Sequence, residues 1–190
     1  MENENKNLSP EQSLDLIASM IRQTQGNVTN NSFYLLLWGW VITLCNFGMY
    51  FLSTFYSPEY AAAVWLLTIP AWAVTMIHAK RQQKSRKVVT HLDKISLWLW
   101  YALGITIIPS WIFGSAIDWR VNAFILMPVG MATFVSGIII RFKPLLVGGV
   151  IFWVAGTLCF IVSPLDQYLV GGAAMIFGYL IPGYMLSRAK

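Results

Sequence analysis

Catalysis in an apolar chain needs titratable, nucleophilic or metal-binding side chains at useful spacing, and here the candidates are His78, His91, Cys45 and Cys159. Either histidine could serve as base, acid or metal ligand, but no carboxylate or cysteine is spaced to complete a dyad or a zinc set. His78 ends an apolar run just before Lys80 and Arg81, so it reads as an interfacial imidazole, and His91 lies in the loop that follows. Both cysteines fall in the middle of apolar runs and read as small buried side chains in a reduced setting. There is no H-E-x-x-H, C-x-x-C, glycine-rich phosphate loop or nucleophile elbow. The expectation is no catalytic residue, no metal and no cofactor.

A proton-coupled carrier would place Asp, Glu, His, Lys or Arg within its spans, and none lies at mid-span. The apolar runs hold prolines, hydroxyls and Asn46 instead. Pro70, Pro109, Pro128 and Pro182 each remove a backbone donor, which predicts kinks in four spans. Kinks would open space lined by Asn46 with Thr43, Thr68, Thr75, Thr106, Ser110, Thr133, Ser136 and Thr157, suited to a neutral or apolar solute. The plainer reading is packing geometry stabilised by neighbouring helices. Small residues four apart, Thr133 with Gly137 and Ala174 with Gly178, mark close helix contacts, and no Gly-x-x-x-Gly occurs in any span.

These residues must be positioned by membrane helices. The chain is 57% hydrophobic and 11% charged, against about 25% charged in a soluble domain. Six apolar stretches of about 20 residues, each enough for a ~30 Å hydrocarbon layer, use most of its 190 residues. Their polar ends place spans near 33–54, 60–79, 95–114, 121–140, 145–162 and 168–186. A barrel is excluded because runs such as Ala61 to Leu67 lack alternation. The expected fold is an all-α bundle of six transmembrane helices over residues 33–190, preceded by a cytoplasmic segment over residues 1–32.

Lys and Arg resist translocation, so their distribution sets orientation. Twelve of the thirteen fall on one side, in the N-terminal segment, the Lys80 to Lys94 loop, the Arg141 loop and the C-terminal end, whereas Arg120 lies alone on the other. The twelve-residue side is expected to be the cytoplasm, with both termini there. Residues 1–32 carry no basic n-region and no early apolar core, so the first span is expected to act as an uncleaved insertion signal.

The N-terminal segment contains Ser9-Pro10-Glu11-Gln12, a capping serine with proline at the first helical position and glutamine at the third, and Gly26 offers a stop. A helix over about 10–25 is predicted. Its apolar side carries Leu14, Ile17 and Ile21, a candidate contact surface for the protein's own loops, the lipid interface or a groove on a partner protein. The run Lys80, Arg81, Lys84, Arg86 and Lys87 at a membrane exit would attract anionic lipid, on the order of 1 kcal/mol per cation. It offers no aromatic platform or motif for reading nucleic acid.

Thr43-Leu44-Cys45 recurs as Thr157-Leu158-Cys159, and Ile69-Pro70 as Ile181-Pro182, which suggests a hairpin repeat. Ser13 to Ile21, Leu35 to Val41 and Tyr179 to Leu186 resemble segments of a group of small six-span inner-membrane proteins of bacteria without an assigned activity. That resemblance implies localisation and architecture, and no site residues. The reading reached from the residues is a non-enzymatic integral membrane scaffold, sensor or regulator. It would sit among anionic lipids, present its N-terminal helix to a cytoplasmic or membrane protein, and be able to self-associate as a homo-oligomer. The alternative is a facilitator or transporter of a small neutral or apolar solute.

Overall fold

Backbone donors and acceptors in hydrocarbon must be paired within their own segment, and the apolar stretches of this chain do so as helices. The computed structural model describes residues 10–85 and 91–188, and among them there is no strand. In chain order the helices are α1 Pro10–Phe55, α2 Pro58–Ala61, α3 Thr68–Ser85, α4 His91–Ile112, α5 Val121–Ile139, α6 Lys143–Cys159, α7 Gln167–Met175 and α8 Ile181–Arg188. Short 3₁₀ turns occupy Ala62–Leu67 and Gly114–Ile117, and a π turn occupies Ile176–Leu180. Among the described residues, six stretches are long and apolar enough to cross a membrane: Ser32–Phe55, Glu59–Gln82, Lys94–Ile112, Val121–Ile139, Lys143–Ile161 and Gln167–Arg188.

The stop expected at Gly26 is not made. α1 runs without a break from Pro10 to Phe55, and no glycine among the described residues takes the positive φ of a helix-ending cap. One interior glycine costs only about 1 kcal/mol relative to alanine, too little to end a helix that is held at its other end by a packed span. The side chains of Leu14, Ile17 and Ile21 lie outside the described residues, as do the side chain of Lys84 and the whole of Arg86 and Lys87.

Two of the four prolines coincide with a change of helix type. The 3₁₀ turn at Ala62–Leu67 gives way to α3 at Thr68, and this places Pro70 just past the junction. In the sixth span the π turn Ile176–Leu180 gives way to α8 at Ile181, and Pro182 again falls just past the junction. By contrast α4 continues as a helix through Pro109 and α5 through Pro128. A lone missing donor is outweighed by the intact ladder on either side of it.

Helix approach is governed by glycine, at a spacing of seven rather than four. Gly130 and Gly137 of α5 face α6, where a Cβ on either would stand 2.9 Å from Gly149 O and Leu146 N respectively. Gly149 and Gly156 of α6 face back onto Phe134, Leu126 and Met127. Residues seven apart return to one helix face, so each pair opens a continuous strip. The sixth span sits on the fifth through Gly148, whose Cβ would come 2.5 Å from Gly178 O, and on the first through Gly39, which abuts Leu180 and Tyr179. Gly178 is also the residue whose carbonyl Pro182 cannot satisfy as an i+4 donor.

The first, fourth, fifth and sixth spans therefore form the core around Phe152, Leu126, Met175 and Tyr179. The second span leans on the first, with Val64 against Gly48 and Trp72 edge-on to Trp38. The third packs on the fourth and buries none of its span, and it meets the second where Trp65 and Trp111 touch at 5.2 Å. Exposed large apolar side chains ring the bundle as lipid would require. Cys45 Sγ donates to Val64 O and Cys159 Sγ to Gln167 O, each reaching the next span. Thr43 is buried and its counterpart Thr157 exposed, so the environments differ.

Candidate functional site

The polar residues that the fold brings together are Asn46, Asn122 and Gln167, at the end of the bundle that carries Arg120. Asn46 belongs to the first span, Asn122 is the second residue of α5 and Gln167 the first of α7. All three are buried, at 1%, 4% and 0% exposure. Asn122 Nδ2 donates to Asn46 Oδ1 at 2.8 Å and to Gln167 O at 3.1 Å. Asn46 Nδ2 donates to Ile42 O at 2.9 Å within its own helix.

Gln167 completes helix ends that the local sequence leaves open. Its Oε1 accepts the Asn122 main-chain N–H at 2.9 Å, one of the orphan donors of the first turn of α5, while Arg120 at the cap position supplies no side-chain bond there. Its Nε2 donates to Trp119 O and Pro164 O, both at 2.7 Å. Arg120 acts instead on the far end of α6, where Nη1 donates to Cys159 O at 3.1 Å and Val162 O at 2.5 Å. A cation at a helix C-terminus also meets the negative end of the dipole. Ser163 and Asp166 tighten the turn between these helices: the Ser163 hydroxyl donates to the carboxylate and accepts the Asp166 N–H.

Gly171 admits the cluster. A Cβ there would stand 2.7 Å from Asn46 Oδ1 and 2.8 Å from Asn122 Nδ2, so only glycine lets the sixth span lie against the amide pair. Above it, Met49, Ala62, Trp65, Trp111, Trp119, Val121 and Tyr168 wall a cleft of about 80 Å³ whose remaining lining residue is Asn122. Trp65 and Trp111 stand nearly perpendicular, at 80°. Trp119 lies over Gly114, where a Cβ would be 2.8 Å from the indole, and it reaches that place through positive φ at Asp118 and at itself. Asn and Gln side chains do not titrate, so the cluster supplies hydrogen bonds and position but no acid, base or nucleophile.

The hydroxyls expected around a cavity do not share one. Thr106 and Thr157 bond back to their own helices, Thr68 to Trp65 O, and Thr75 takes the Trp38 indole N–H. Thr133 donates to Val129 O and can accept from the Tyr179 hydroxyl, and the Thr43 and Ser136 hydroxyls are buried without a partner among the described residues. Pro70 and Pro109 are exposed, Pro128 is half-buried and Pro182 is buried, on four different helices. Only Asn46, of the expected lining, reaches a polar centre. Asn122 and Gln167 escape a reading of sequence because each stands at the polar edge of its span and finds partners 45 to 76 residues away.

At the opposite end of the bundle Lys80 and Arg81 are exposed on the last turns of α3. His78 stacks on Phe33 at 4.1 Å, and its Nδ1 lies 3.2 Å from Tyr34 OH. These contacts join the second span to the first, and no group of His, Cys, Asp and Glu fit for a metal occurs among the described residues. The chain matches no known protein family, no curated protein and no solved structure.

Proposed function

We propose that this is a non-enzymatic protein of the bacterial inner membrane, with both termini in the cytoplasm, acting as a scaffold, sensor or regulator that offers its N-terminal segment to a protein partner. The observation that carries this reading is the continuity of α1. Its 46 residues extend about 69 Å, more than twice the ~30 Å hydrocarbon layer. Residues 10–31 thus project as an arm of roughly 33 Å in line with the first span. That span packs directly on the sixth, so a contact made on the arm bears on the core without a hinge between them. A helix lying flat in the lipid interface would need a bend after Gln25.

The orientation rests on twelve of thirteen cations falling on the side of the termini. The inner-membrane assignment rests on the resemblance of the Leu35 to Val41 and Tyr179 to Leu186 runs. A facilitator of a small solute finds less support. The cleft has a volume of about 80 Å³, whereas pockets for small molecules run to about 300 Å³ or more.

Hydrogen exchange in native membranes and in purified nanodiscs, on wild type and Ile17→Asp, tests the proposal. Added protection of Leu14 to Gln25 in native membranes, lost in Ile17→Asp, is the expected result. Equal exchange in the two settings would remove the partner from the account.

A further inference from the structure

We propose that the aromatic cleft over Asn122 binds a primary alkylammonium group, presented either by an ethanolamine lipid headgroup or by a soluble amine. The inference makes no use of the N-terminal arm and stands or falls without it.

The cleft contains one acceptor that the fold does not use. Asn122 Nδ2 is fixed as the donor of its amide, because the main-chain carbonyl of Gln167 to which it bonds can only accept. Its main-chain N–H is taken by Gln167 Oε1. That leaves Asn122 Oδ1, which accepts no hydrogen bond among the described residues, on a side chain that is 4% exposed and lines the cleft. A carbonyl oxygen held this way is an acceptor waiting for a donor.

The walls select what the donor should be. Trp65 and Trp111, perpendicular at 5.2 Å, form two sides of a box, and Trp119 and Tyr168 add further ring surface. Aromatic faces attract cations, so an acceptor that shares a lining with indole rings suits an ammonium, which has three donors and no acceptor. An anion finds no cation in the lining, since Arg120 at this end directs Nη1 to the carbonyls of Cys159 and Val162. A hard metal ion would want six or more oxygens, and a single amide oxygen is far short of that. A cleft of about 80 Å³, well under the ~300 Å³ of a small-molecule pocket, holds the ammonium end of a molecule and leaves the rest outside. The position fits a headgroup as well as a solute, because the cleft lies where the spans end at the loop carrying Trp119.

The test is fluorine NMR on the full chain labelled with 5-fluorotryptophan, in nanodiscs of pure phosphatidylglycerol, titrated with ethylammonium chloride against sodium chloride at equal ionic strength. Saturable shifts of the Trp65 and Trp111 signals with ethylammonium, weakened about tenfold in Asn122→Leu, are expected for loss of the single acceptor. If Asn122→Leu does not fold, Trp111→Leu, at an exposed site, serves instead: the Trp65 shift should then weaken by a similar factor. Nanodiscs containing phosphatidylethanolamine separate the sources. Signals already displaced there, and unmoved by added amine, identify the lipid headgroup; signals that match those in phosphatidylglycerol and still respond to amine identify a soluble ligand. Absence of a saturable shift in both lipids, or a shift that sodium reproduces or that Trp111→Leu leaves unchanged, overturns the proposal and leaves the cleft to water.

Discussion

Arg120 donates through Nη1 to the main-chain carbonyl of Val162 at 2.5 Å, and so the one cation at its end of the bundle among the described residues closes the end of α6. Its place outside the cationic cluster of the other side is explained by a structural task rather than by orientation. Arg120→Ala is expected to lower unfolding stability in detergent by about 1.5 to 3 kcal/mol, the usual worth of hydrogen bonds to a charged group, and to leave topology unchanged. Thermal unfolding together with reporter fusions after Ser163 and Lys190 reads both. A stable but inverted Arg120→Ala would contradict this assignment.

The amide pair offers a cleaner measurement of interhelical coupling. A double-mutant cycle on Asn46→Ala and Asn122→Ala should give a coupling of about 0.5 to 2 kcal/mol, the range for hydrogen bonds between membrane helices. Additive losses would mean that the contact at 2.8 Å carries no energy of its own.

Glycine substitutions separate close approach from helix propensity. Gly148→Ala brings a Cβ to 2.5 Å of a backbone oxygen, which cannot swing aside, and is expected to cost about 1 to 3 kcal/mol. Gly104→Ala meets nothing within 4 Å and should be neutral or stabilising by up to about 1 kcal/mol. The ranking of the two variants in one denaturation series decides the matter.

Both cysteines are fully buried, so a membrane-permeant maleimide should label neither Cys45 nor Cys159 until the protein is unfolded. Rapid labelling of native protein in nanodiscs would show that the core opens where it is described as closed.

How much of this was legible in the sequence follows the range of each signal. Hydropathy is local, and the spans read from it end within a few residues of those formed, as at Val121 and Ile139. The continuity of α1 depends on a balance between a weak breaker, Gly26, and the cooperativity of a helix anchored by packing, which a motif for stops does not weigh. The amide cluster was beyond reach because Asn46 and Asn122 are 76 residues apart and neither has a distinctive neighbour. The glycine strips could have been found: Gly130 with Gly137 and Gly149 with Gly156 are plain in the chain, but the spacing sought was four. Pro70 and Pro182 stand just past changes of helix type, whereas Pro109 and Pro128 stand inside continuous α-helices, a difference that the residue type alone does not encode.

The arm and the first span are one helix through Gly26, and a distance measured across that residue reads its continuity. Spin labels at Gln12→Cys and Asn30→Cys, with Cys45 and Cys159 replaced by alanine, should report a narrow distribution centred near about 27 Å in nanodiscs, eighteen steps of ~1.5 Å. A broad distribution, or one centred well below that length, would place a hinge at Gly26 and contradict the account.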